Sequence, residues 1–156
     1  MIEIVPAISQ KQMRAFATFP FSLYRAHPYW VPPIISAELA SWDKSKNPVF
    51  EHAEADFFLA YQDGKIVGRV ACIVNRTEVN QQGISKMRFG WFDFTDDFQV
   101  SSALLNCVAE YGRKRGLAFM EGPVGFSNLD KVGVMTTGFD HIGTMITWYN
   151  HPYYAD

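Results

Sequence analysis

The sequence predicts a mixed α/β domain, one sheet of parallel and antiparallel strands flanked by helices, and three observations predict it. Two apolar runs, Phe57 to Gln62 and Lys65 to Asn75, are separated only by Asp63-Gly64. Asp-Gly between such runs signals a two-residue hairpin, because both turn residues take positive φ. A long amphipathic segment with capping residues at both ends stands between two further apolar runs, Lys86 to Phe94 and Leu117 to Glu121, and strand-helix-strand units of this kind close as crossovers between parallel neighbours. Finally, 156 residues with 48% hydrophobic and 19% charged content fit one domain, long enough to bury roughly 70% of its unfolded surface.

Ile2 to Ala7 is short and apolar with Pro6 near its end, which suits an edge strand. Ser9 with Gln12 three residues later forms a capping-box pair for a helix whose Met13 and Phe16 share one face, and Pro20 is expected to stop it. A second short helical stretch is expected over Phe21 to His27. His27 to Pro33 holds three prolines in seven residues and reads as an extended, stiff loop whose aromatics, Trp30 among them, can cover a pocket. Ser36 to Trp42 reads as a short helix and Lys44 to His52 as a loop. In the second hairpin strand Ile66, Val70, Cys72 and Val74 share one parity and Val67, Arg69, Ala71 and Ile73 the other. Both faces look buried, which places this strand centrally.

Asp96 is expected to cap the long helix, with Gln99 at the third position. Val100, Ala103, Leu104, Cys107, Val108 and Tyr111 follow at the spacing of a single apolar stripe. Arg113, Lys114, Arg115 and Gly116 close it, cations on the negative end of the dipole and glycine just beyond. The basic run therefore has a structural explanation. Asn128 to Gly138 is expected to form one more helix, and Thr144 to Tyr149 a last strand.

Composition excludes several classes. A net charge of −2 gives no basic field, so nucleic acid is not an expected partner. The N-terminus has no basic segment followed by a long apolar one, and no apolar run nears 18 residues. Neither a signal peptide nor a membrane span is expected, and the protein reads as cytoplasmic. Cys72 and Cys107 lack the CxxC spacing of metal and redox sites and read as reduced fillers. The four histidines fall in separate loops or element ends, so no metal site is expected.

The element order, together with Tyr29-Trp30-Val31-Pro32-Pro33, the stretch Asn47 to Ala55, Gly64-Lys65-Ile66-Val67-Gly68-Arg69 and Gly122-Pro123-Val124-Gly125-Phe126-Ser127-Asn128, resembles the GNAT superfamily of acyl-CoA N-acyltransferases, in particular the N-terminal acyltransferase-like domain of a group of bacterial proteins. The likeness spans nearly the whole chain. It implies a single GNAT-like mixed sheet over residues 1–156 and N-acyl transfer from an acyl-CoA thioester to a small-molecule amine. Two departures matter. Where the superfamily carries a glycine-rich, basic loop for the CoA pyrophosphate, this chain reads Phe94-Thr95-Asp96-Asp97-Phe98-Gln99; two carboxylates there repel a pyrophosphate, so acetyl-CoA or another acyl-CoA is expected to bind weakly. The chain also ends one strand short of the superfamily's closing hairpin. Either it is part of a longer protein, or the open edge pairs with a second copy in a homodimer.

The resemblance sets acyl transfer where the two parallel strands part, with Phe94, Thr95, Asp97 and Phe98 on the cofactor side. Glu121 is the candidate general base, a carboxylate among aromatics whose pKa would be raised, or else a solvated strand end. Tyr149 is the candidate acid for the leaving thiolate, or a core ring. Asn128 either orients substrate or makes a turn. Arg69, mid-strand among apolar neighbours, needs a carboxylate partner, for which Glu54, Asp56 and Asp93 are available, or else binds a substrate carboxylate or acyl group. The second functional reading is a non-catalytic module of the same fold that binds through its aromatic cleft without CoA.

Overall fold

A computed structural model describes residues 1–127, 129–144 and 146–155. Its centre is a five-stranded sheet in the order β1 (Ile2–Pro6), β2 (Ala53–Gln62), β3 (Lys65–Asn75), β4 (Lys86–Phe94), β5 (Phe119–Glu121). The first four strands pair antiparallel and β5 runs parallel to β4, through Lys86↔Phe119, Met87↔Met120 and Arg88↔Glu121. Helices α1 (Gln10–Leu23) and α2 (Ile35–Ser41) cover one face, and α3 (Phe98–Arg113) covers the other.

The alternation in β3 builds both cores. Ala71 and Ile73 pack with Phe16, Trp42 and Phe57 under α1 and α2, while Val70, Cys72 and Val74 pack with Val100, Leu104 and Val108 of α3. The hairpin forms at Asp63-Gly64, with φ of 50° and 75°, the positive pair that a primed turn requires. Ser9 and Gln12 make their reciprocal cap.

Several expectations are corrected. Pro20 lies inside α1, which runs on to Leu23, so Phe21 to His27 is not a separate helix. A proline interrupts a helix partly by leaving the carbonyl four residues back without its N–H. Here that carbonyl, Phe16, accepts from the Arg69 guanidinium at 2.7 Å, so the helix continues. The cap of α3 is Asp97, whose carboxylate accepts from Gln99 N–H at 2.8 Å, and not Asp96. Strand β2 starts four residues earlier than expected, at Ala53, and β5 two residues later, at Phe119. No helix forms between 129 and 138 and no strand over 144 and 146–149. That region is irregular, tied by single bridges from Val132 to Val124 and Thr147. Among the described residues no open last strand forms there, so the edge through which a homodimer was expected is not present in that form.

Candidate active site

A β-bulge in β4 sets the site up. Arg69 pairs with Asp93 and Ala71 with Gly90, so Val70 alone faces both Trp91 and Phe92. Trp91 takes φ of +45°, a conformation a bulky side chain adopts only when its surroundings impose it. Before the bulge Met87 and Phe89 join the α3-side core; after it Trp91 joins the α1-side core. The extra residue thus turns Asp93, of the same parity as Met87 and Phe89, toward α1. Without it Asp93 would lie on the wrong face to meet Arg69.

The resulting ion pair is almost fully buried, with side chains 4% and 8% exposed. Arg69 Nε and Nη2 each lie 2.7 Å from Asp93 Oδ2, and Nη1 donates to the Phe16 carbonyl. Asp93 Oδ1 accepts from the Tyr24 hydroxyl at 2.8 Å and the Tyr154 hydroxyl at 3.4 Å. Burial, then the Asp93 charge, pushes the Tyr24 and Tyr154 phenols well above their ordinary value. Both stay protonated and act as donors. The sequence offered three carboxylates for Arg69; tertiary structure selects Asp93.

Arg69, Asp93 and Tyr24 form part of the lining of a cavity of about 470 Å³ beside the C-terminal end of β4. Pro20 and the stretch Tyr29 to Ile34 supply largely apolar walls, and Lys131, Thr144, Thr147, Trp148 and Tyr149 complete the lining. Glu38 brings a carboxylate into the lining, steadied by the Trp91 indole N–H at 2.9 Å. Adjoining the cavity, the Tyr149 hydroxyl lies 2.6 Å from Nε2 and 2.9 Å from Nδ1 of His27. The His27 pKa is lowered, by desolvation first and by His151 second, and burial raises that of Tyr149. A neutral imidazole and a protonated phenol thus stand in contact near pH 7, an arrangement that can accept and pass on a proton.

The expected site residues divide between this cavity and other places. Arg69, Trp30 and Tyr149 come together in its wall. Glu121 does not: Lys86 Nζ sits 2.7 Å from its carboxylate, and that hydrogen bond holds its pKa down. The raised pKa expected of Glu121 is therefore corrected. Of the cofactor-side residues, Thr95 N–H pairs with Val67 O, Asp97 caps α3 and Phe98 is exposed. Phe94 is engaged through both its backbone N–H and its carbonyl by Tyr154 and Tyr153. The α3 N-terminus, closed by a carboxylate, does not fit a diphosphate in the way the superfamily's glycine-rich loop does. Asn128 lies outside the described residues. Tyr24, His27 and Glu38 were missed as site residues. His27, which opens the Pro-rich segment, carried the one available signal.

No protein-family model matches the chain. A bacterial ceramide synthase of Caulobacter vibrioides is 28% identical over 155 residues, 99% of this chain and 40% of that protein. Protein YghO of Escherichia coli K12 is 28% identical over 148 residues, 95% of this chain and 38% of that protein. The chain thus spans about two fifths of the length of these relatives. Among solved structures, a tandem GNAT protein from the clavulanic acid biosynthesis pathway superposes with a TM-score of 0.57 at 17% identity, over 74% of this chain and 34% of that one. Among the described residues no helix is long and apolar enough to cross a membrane, and no three His, Cys, Asp or Glu side chains stand together as a metal would need. With β5 parallel to β4 and α3 joining them across one face, the chain has the GNAT fold.

Proposed function

We propose that this domain transfers an acyl group from a thioester to an amine held in the cavity between the Pro-rich segment and Tyr149. The observation that carries the reading is the contact of neutral His27 with the Tyr149 hydroxyl beside a cavity whose Trp30 to Ile34 wall is apolar and whose lining also carries Glu38, Lys131 and the Arg69–Asp93 pair. Glu38 is suited to draw in the ammonium form of an amine. Acylation needs the free amine, so a proton must leave it. Tyr149 can take that proton as its own passes to His27 and on to solvent; after attack the same pair can take the second proton from the tetrahedral nitrogen and give it to the departing thiolate. The thioester supplies the activated carbonyl. Arg69, Asp93 and Tyr24 hold the floor rigid and keep charge away from the reacting carbonyl.

The amine acceptor is an apolar-chain amine or amino alcohol. Two things support this: the walls from Trp30 to Ile34 are hydrocarbon and aromatic, and a relative is described as a ceramide synthase, a name that denotes forming an amide on a long-chain amino alcohol. Acyl-CoA is the donor the fold implies. Asp96 and Asp97 at the start of α3 weaken its hold, and acetyl-CoA is expected to bind with Kd weaker than about 100 μM, about −5.5 kcal/mol. A second reading, a binding module without CoA, is favoured by the same closed start of α3.

Thiol release from acyl-CoA, measured with a long-chain amino alcohol and with short amines, tests the first reading. Amine-dependent release that falls at least tenfold in Tyr149→Phe and His27→Gln is the expected result. No release above the blank with any amine, with no heat of acetyl-CoA binding by calorimetry, leaves the binding module.

A further inference from the structure

Beyond Arg88↔Glu121 the parallel ladder ends, and β5 leaves through Gly122-Pro123. Val124 N–H donates to Phe89 O at 2.8 Å, and the passing segment comes so close that a Cβ on Gly90 would stand 2.3 Å from the Val124 carbonyl oxygen. Further along, no strand among the described residues pairs with β4 on the side away from β3. At Phe94 the outward peptide groups are taken by two side chains of one short turn, Pro152–Ala155. The Tyr154 hydroxyl accepts from Phe94 N–H at 3.1 Å, and the Tyr153 hydroxyl donates to Phe94 C=O at 2.6 Å. One acceptor and one donor on the N–H and C=O of a single residue is the pattern a neighbouring strand supplies, and an extended ligand with a secondary amide can supply it too. The rings add to it: Tyr154 stacks on Phe94 at 4.3 Å and 21°, and Tyr153 packs on it at 5.6 Å.

We infer that the Pro152–Ala155 turn is an internal strap, a side-chain substitute for the amide-bearing arm of the donor, which must be displaced before a donor can lie along β4. This rests on the acyl-transfer reading above. The strap is built to come away. It is four residues long, it grips β4 by hydroxyls and not by backbone, and the Tyr153 hydroxyl has that one bond. Tyr154 is the firmer half, since its hydroxyl also lies 3.1 Å from Tyr24 and 3.4 Å from Asp93. Between strap and cavity, His151 joins the two: Nε2 lies 3.1 Å from Leu23 O, and its ring stacks on Tyr153 and packs on Tyr24. Lifting the strap therefore also disturbs the ring beside His27. When the competent state is a minority, apparent affinity drops by its population; a strap closed nine times in ten lowers it about tenfold.

The experiment compares the full chain with Tyr153→Phe, which removes the bond and keeps the ring, and Tyr153→Ala, which removes both. Hydrogen exchange at the Phe94 amide reads the strap itself, acetyl-CoA calorimetry reads competition, and thiol release reads turnover. Faster Phe94 exchange in both variants, with acetyl-CoA bound at least threefold more tightly by Tyr153→Ala at an unchanged thermal midpoint, is the expected result. Exchange unaltered in both variants overturns the strap. Faster exchange with acetyl-CoA affinity unchanged, while turnover persists, overturns it as a competitor and leaves acyl transfer standing. Absence of both binding and turnover in all three proteins overturns the acyl-transfer reading and the strap's role with it.

Discussion

At the scale of single residues, the Arg69–Asp93 pair decides how this domain responds to substitution. Its charges are nearly free of solvent, and each makes a further hydrogen bond, Arg69 to Phe16 O and Asp93 from the Tyr24 hydroxyl. Removing one partner strands the other charge in the core. Asp93→Ala is expected to cost about 3–5 kcal/mol, read as a shift of the urea midpoint, and a loss under 1 kcal/mol would show that the guanidinium finds another partner. His27 has the opposite character, partly solvated and titratable. Its folded pKa is lower than its ordinary value of 6.5, so the neutral ring contributes stability above pH 6.5 that is lost as pH falls through the folded value. Activity should decline over the same acid range, since the neutral form is the base. In His27→Gln that acid limb should vanish from the rate profile, and its persistence would assign the titration to another group.

Among the elements, α3 and its approach to the sheet carry the clearest consequences. Asp97 closes the first turn through Gln99 N–H, whereas Asp96 is exposed and caps nothing. Asp97→Ala should lose about 1 kcal/mol of stability, and Asp96→Asn should stay within about 0.5 kcal/mol. Both should tighten acetyl-CoA if charge at this helix start is what repels it. Chemical denaturation beside calorimetry separates the two effects, and equal stability losses would reassign the cap. The helix also lies tight on β3, where a Cβ at Gly68 would stand 2.8 Å from Leu104 Cδ1, 3.0 Å from Val100 Cγ1 and 3.2 Å from the Asp93 carbonyl oxygen. Gly68→Ala is therefore expected to destabilise by about 1–3 kcal/mol. A neutral result would mean that α3 can ride outward, which a thermal melt would reveal.

For the molecule as a whole, the aromatic content finds its explanation in two clusters joined through the sheet. Phe16, Trp42, Phe57, Trp91 and Trp148 interlock on one side, and Phe92, Phe94, Tyr153 and Tyr154 meet at the end of β4. Tyr153 and Tyr154 are covered by their own chain, both packing on Phe94. Light scattering at micromolar concentration should accordingly give a mass near 17.7 kDa, and a mass of twice that would point to an interface other than the 144–149 edge.

What the sequence determined by itself is the part written in short-range patterns. The Asp63-Gly64 turn, the two-faced β3, the stripe of α3 and the parallel partnership of β4 and β5 all follow from periodicity and turn chemistry within a few residues. The boundaries that failed depend on atoms far away in sequence. Pro20 did not end α1 because a guanidinium 49 positions later took the carbonyl it left free, and the helix and strand expected beyond β5 give way, over 129–144 and 146–149, to isolated bridges at Val132 and Thr147. The site lies beyond local pattern for the same reason. A one-residue bulge at Trp91 turns Asp93 to the other face of the sheet, and packing draws Tyr149 to His27 across 122 positions. Side-chain parity can be read along a strand, but the bulge that reverses it is imposed by the partners on both faces, and only tertiary structure supplies those.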